Sequence, residues 1–95
     1  MIAICGTVEL YLPYAQSLKE KRQITKSIND RIRKRFNLSI AEVDGQELWQ
    51  RATLGFAAVT NTQRDMDRVI EALRDTLDLH EEEIQVLAFD YSYIG

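Results

Sequence analysis

Residues 17–36 read Ser-Leu-Lys-Glu-Lys-Arg-Gln-Ile-Thr-Lys-Ser-Ile-Asn-Asp-Arg-Ile-Arg-Lys-Arg-Phe, and they hold eight of the twelve Lys and Arg residues of the chain. The Ser17 hydroxyl can accept from a free backbone N–H of a first helical turn, and Glu20, three residues on, can reach back to close a capping box. At about 100° per residue, Leu18, Ile24, Ile28, Ile32 and Phe36 fall on one arc, as a helix lying on a sheet requires. On one flank of that arc the rotation stacks Lys19, Arg22, Lys26 and Arg33 into a stripe with Asp30 at its margin. Such a stripe is either a positive ridge or an ordinary solvated helix face. Lys21 projects into the middle of the apolar arc. Either the first turn overhangs the sheet and the amine snorkels to water, or the amine serves a polar site at the end of the sheet; overhang is the expectation.

The flanking segments supply the sheet. Ile2, Ile4, Val8, Leu10 and Leu12 alternate with Ala3, Cys5, Thr7, Glu9 and Tyr11, a period of two that marks a strand ended by Pro13. Leu38 to Val43 read as a short second strand closed by the turn residues Asp44 and Gly45. Ala52, Leu54, Phe56 and Ala58 alternate with Thr53, Gly55, Ala57 and Val59 in a third, which leaves residues 44–51 as a hairpin loop holding Trp49, Gln50 and Arg51. Thr62 and Asp65 begin a second helix with an apolar stripe of Met66, Val69, Ile70, Leu73 and Leu77. After the acidic connection Leu79 to Glu83, Ile84, Val86 and Ala88 alternate with Gln85, Leu87, Phe89 and Tyr91 in a last strand.

The order βαββαβ with right-handed crossovers places both helices on one face of a four-stranded antiparallel sheet. This is the α+β, ferredoxin-like arrangement with spatial strand order 4-1-3-2. The even residues of strands one and three, among them Ile4, Val8, Leu10, Leu54 and Phe56, then lie under the helices. The opposite face shows Ala3, Cys5, Thr7, Glu9, Thr53, Gly55, Ala57 and Val59, with Val43, Leu87 and Phe89 at its sides.

A chain of 95 residues has room for one domain, spanning 1–95. No apolar run approaches the ~20 residues that cross a bilayer, so no membrane partner is expected. No basic segment precedes an apolar one at the N-terminus, which points to the cytoplasm. The single cysteine, Cys5, has no internal disulfide partner. The net charge of −3 hides an asymmetry: residues 1–40 carry eight basic and three acidic side chains, residues 41–95 four and twelve. A local basic face still attracts phosphates within a Debye length of about 8 Å.

RNA-recognition modules of this topology stack bases on aromatic residues of the two central strands. Here Tyr11 is the one aromatic on that face of the central pair, so stacking on the sheet is not expected. The glycines are isolated, and none forms a phosphate-binding loop. His80 beside Glu81, Glu82 and Glu83 lacks converging ligands and reads as a solvated loop. Glu9, on a strand opposite Arg51 or near Glu42, could form a charged site on the open sheet face; an ordinary cross-strand pair is the expectation. Trp49 either anchors a partner or covers an edge of the core. No catalytic residue, cofactor or metal ligand is assigned.

The combination of Ser17-Leu18-Lys19-Glu20-Lys21-Arg22, Arg35-Phe36-Asn37-Leu38-Ser39-Ile40-Ala41-Glu42-Val43 and Leu48-Trp49-Gln50-Arg51-Ala52, with Leu54-Gly55 and Asn61, resembles the YlxP-like family of small bacterial proteins, a domain of unknown function. The resemblance covers nearly the whole chain and implies a ferredoxin-like fold. Genes of that family often stand beside those of transcription and ribosome-maturation factors, and the family pattern contains Lys19, Lys21, Arg22, Trp49, Gln50 and Arg51. The expected function is a non-enzymatic binding module for RNA or a ribosome-associated partner, using Lys19, Lys21, Arg22, Lys26, Arg33, Trp49 and Arg51. The alternative is a homodimeric regulatory or small-ligand domain that associates through Val59, Leu87, Phe89 and Tyr91 on the open sheet face.

Overall fold

In the computed structural model, which describes residues 1–95, Ser17 Oγ accepts from the Glu20 amide at 3.1 Å, and the Glu20 carboxylate accepts from the Gln16 amide at 2.7 Å. The return bond thus lands one residue before the cap, and it still fixes where the first helix starts. The elements are β1 (Ile2–Tyr11), α1 (Leu18–Arg35), β2 (Leu38–Asp44), β3 (Arg51–Thr60), α2 (Gln63–Asp78) and β4 (Gln85–Tyr93). Thr62 caps α2 by accepting from the Asp65 amide at 3.2 Å. The strands form one antiparallel sheet in the order β2-β3-β1-β4, the expected order read from the other edge.

The core lies between this sheet and the helices. Val8 pairs with Leu54 and Leu10 with Ala52, and these side chains, with Ile4 and Phe56, are buried against Ile28 and Ile32 of α1 and Met66, Ile70, Leu73 and Leu77 of α2. Gly6 pairs with Phe56, and a Cβ at Gly6 would stand 2.7 Å from Phe56 Cζ and 2.2 Å from the Asp90 carbonyl oxygen. The missing side chain lets the Phe56 ring lie over β1 and lets β4 approach. No helix is long and apolar enough to cross a membrane.

Two one-residue bulges interrupt the sheet, and the one in β4 rearranges its faces. Along β1, Glu9 pairs with Ala88 but Leu10 pairs with Val86, so Leu87 is an extra residue and the alternation of β4 changes phase there. Phe89, opposite Val8, and Tyr91, opposite Gly6, therefore lie on the helix side, while Val59 pairs with Ala3 on the open side. The expected self-association set of Val59, Leu87, Phe89 and Tyr91 does not share a face. Along β3, Glu42 pairs with Leu54 and Asp44 with Thr53, which makes Val43 the extra residue; Glu42, ahead of the bulge, keeps the phase of Leu38 and Ile40 and faces the helices. Glu9 pairs with Thr53 and forms no ion pair, and the Arg51 guanidinium instead lies 6.0 Å from the Tyr11 ring centroid.

Two further expectations are corrected by burial. His80 is only 5% exposed and is no solvated loop. Its amide donates to the Leu77 carbonyl and its own carbonyl accepts from Ile84, so it closes the turn between α2 and β4. Lys21 is completely buried.

Candidate functional site

The β2–β3 loop, residues 45–50, is built around the Lys21 amine. Its Nζ donates to Glu42 Oε2 at 2.8 Å, to the Gly45 carbonyl at 2.7 Å, and to the carbonyls of Gln46 and Arg51 at 3.2 Å each. The overhang expectation fails because Glu42, on the helix side of β2 in step with Leu38 and Ile40, holds a carboxylate at the end of the sheet, and the chain from Gly45 to Arg51 turns three carbonyls toward the same point. A buried ammonium is tolerable only where its donors and its charge are both matched, as here. Gly45 adopts φ 75°, a left-handed turn that suits glycine and helps bring its carbonyl to the amine. Lys21 therefore leaves the set of surface cations and becomes the internal post of the loop.

A second tie comes from Gln50. Its side-chain amide donates to the carbonyls of Pro13 at 3.2 Å and Ala15 at 3.3 Å, and its carbonyl accepts from Leu12 at 2.9 Å. The loop is thus held on one side by the first turn of α1 and on the other by the β1–α1 connection. What these ties leave outside is apolar: Trp49 is 55% exposed, Leu48 is similar, and Tyr14 on the adjoining connection is 75% exposed. So Trp49 does not cover the core. Beneath the loop a cleft of about 400 Å³ is lined by Glu9, Asp44, Leu48, Arg51 and Thr53, among others.

The basic stripe divides into two parts. Lys19 and Arg22 stand exposed on the first turns of α1, at the loop end, without an ion-pair partner. Further along, Lys26 Nζ lies 2.7 Å from Asp30 Oδ2, and Arg33 lies 3.6 Å from Oδ1 while donating to the Ile40 carbonyl. The Lys26 hydrogen bond, joined by the charges of Lys26, Arg33 and Lys34, holds the Asp30 carboxyl below its ordinary value. At neutral pH that carboxylate is ionised and keeps Lys26 and Arg33 engaged. At about 1.5 Å of rise per residue, Arg33 also stands about 20 Å along the helix from Lys19.

The structure therefore brings Lys19, Arg22, Trp49 and Arg51 to one end of the molecule, sets Lys26 and Arg33 apart, and removes Lys21. Tyr14 and Leu48 join the site without having been singled out in the sequence. The signal for Tyr14 was an aromatic residue just after the strand-ending Pro13, in a connection that shares the sheet end with the hairpin loop.

The model of the family described as a protein of unknown function (DUF503) matches residues 3–91. The chain belongs to this family. A relative is the uncharacterized protein YlxP of Bacillus subtilis (strain 168), 43% identical over 60 residues, which cover 59% of this chain and 65% of that protein. The aligned part thus spans less than two thirds of the relative's length. Among solved structures, a de novo designed protein with ferredoxin fold, determined by solution NMR, superposes with a TM-score of 0.53 at 13% identity, covering 99% of this chain and 84% of the designed one. That likeness concerns the fold alone.

Proposed function

We propose that this DUF503 family member is a non-enzymatic binding module of the cytoplasm that holds single-stranded RNA, free or within a ribonucleoprotein, at the loop end of the sheet. The observation that carries this reading is Trp49, kept outward by a loop whose inner side is locked on Lys21. A rigid exposed indole stacks on any base, and the unpaired Lys19 and Arg22 with Arg51 supply charge for the phosphates on either side of it. Stacking on a prepared aromatic costs little ordering entropy, which is the gain of fixing the loop before RNA arrives.

Salt tests this reading. With three phosphate contacts, affinity for a labelled single-stranded oligonucleotide, followed by fluorescence anisotropy, should fall with log salt at a slope of about −2, from −0.7 per contact. Arg22→Gln with Arg51→Gln should flatten that slope by about 1.4. An unchanged slope, or no binding at low salt, contradicts it.

Self-association is the second reading. Its support is β4, a strand rich in apolar and aromatic residues in which no residue is buried. Equilibrium sedimentation at high micromolar concentration reads it directly, and a mass of 11.0 kDa throughout would refute it.

A further inference from the structure

We propose that two copies of the chain join along β4, antiparallel about a twofold axis, to make one continuous eight-stranded sheet; this rests on the self-association reading above and assigns its surface and geometry. From Ile84 to Gly95 the sequence carries a single charged side chain, Asp90, and no Lys, Arg or Pro. Sheet edges of folded proteins are ordinarily guarded by such residues, by bulges that twist the edge away, or by shortness. The other edge is guarded: β2 has 7 residues, is bulged at Val43 and ends on Asp44. β4 has a bulge of its own at Leu87, but it stands near the start of the strand. From Ala88 to Tyr93 the pairing with β1 is regular, it continues to Ile94, whose amide donates to the Ala3 carbonyl at 2.9 Å, and no strand of the chain pairs on the outer side.

The helix side of β4 is equally unfinished. Phe56, Phe89, Tyr91 and Tyr93 form a row with successive ring centroids 5.6, 6.3 and 6.2 Å apart. From α2, Arg74 reaches over Phe89 at 4.0 Å and Gln63 donates to the Tyr93 hydroxyl at 2.7 Å. Tyr91 and Tyr93 nevertheless remain 37% and 52% exposed. A groove of about 230 Å³ runs between α2 and β4, lined by Arg74, Leu77, Asp78, Val86 and Phe89.

The charge pattern selects a second copy as the occupant. An antiparallel ladder is its own complement under a twofold axis, so β4 supplies the matching strand for β4. A nearly neutral edge offers no charge by which to choose an acidic or basic partner. The groove wall carries Arg74 and Asp78, opposite charges four residues apart on α2, an arrangement that a twofold can set against its own image. In such a sheet the two aromatic rows meet beneath the two α2 helices and cover one another.

The test compares Gln85→Lys/Ser92→Lys, which places cations on exposed polar positions of β4, with Val59→Lys on the open sheet face, both followed by sedimentation and by helical circular dichroism. The proposal expects the parent and Val59→Lys at twice the 11.0 kDa chain mass and the β4 variant at 11.0 kDa with unchanged helicity. A β4 variant that stays dimeric, or a dimer lost through Val59→Lys instead, overturns the β4 assignment while leaving self-association intact. A monomeric parent overturns both. If the β4 variant unfolds, amide exchange of the parent decides: β4 amides that slow with rising protein concentration support the pairing, and rates independent of concentration refute it.

Discussion

Lys21 shows how one side chain sets the shape of a surface it never reaches. Its amine converts one carboxylate and three carbonyls into a fixed loop, and removing it takes the counter-charge from the largely buried Glu42 carboxylate and a donor from each carbonyl, of which Gly45 keeps the Leu48 amide. Lys21→Met should therefore cost about 3 kcal/mol or more in urea unfolding, as for other broken buried ion pairs. Adding Glu42→Leu should restore only part of that loss, because the three carbonyls still lose the amine's hydrogen bonds; full restoration, or a single variant as stable as the parent, would show the cage to be incidental. Asp30 acts in the opposite setting, at the exposed margin of the stripe. Its carboxyl is lowered from 3.8, chiefly by the Lys26 hydrogen bond, so what it adds to stability is complete above that value and is lost as pH falls through the lowered one. Asp30→Asn should be less stable than the parent at neutral pH, with the difference vanishing in strong acid.

At the scale of elements, Gly6→Ala tests how the sheet is packed. The new methyl would meet a backbone carbonyl of β4 and the Phe56 ring, so overpacking should cost about 1–3 kcal/mol. For a domain of this size that is a fall in Tm of at least about 4 °C. A neutral Gly6→Ala would mean that β4 does not lie so close to β1. The elements themselves were legible because each apolar stripe has the period of its structure: Ile28 and Ile32 on α1, Met66, Ile70, Leu73 and Leu77 on α2, and the alternating residues of β1 and β3 are all found in the core. The face of β4 was not. A single extra residue at Leu87 shifts everything beyond it by half a period, and nothing in the local sequence marks an insertion whose cause is the partner strand. The fate of Lys21 was hidden for another reason: Glu42 falls on the helix side by plain alternation, but the carbonyls of Gly45, Gln46 and Arg51 that complete the cage depend on the path of the loop. For Trp49 the sequence placed the residue in the loop, whereas the ties that turn it outward come from Lys21 and Gln50, far apart in the chain.

Across the whole molecule the charge is divided, with the cations gathered on α1 and the carboxylates in the C-terminal half. Lys19 and Arg22, the cations of α1 without an ion-pair partner, would draw an RNA strand to the loop end rather than to the sheet face. The β4 edge and the loop site occupy different parts of the sheet, so a twofold dimer would present two such ends. The most direct measurement uses the fact that Trp49 is the single tryptophan. Its fluorescence, titrated at low salt with single-stranded oligouridylate, should be quenched to saturation as bases stack on the indole, and added salt should reverse the quench. Emission that stays unchanged while anisotropy reports binding, or an absence of binding altogether, would contradict the assignment of this end of the molecule as the RNA site.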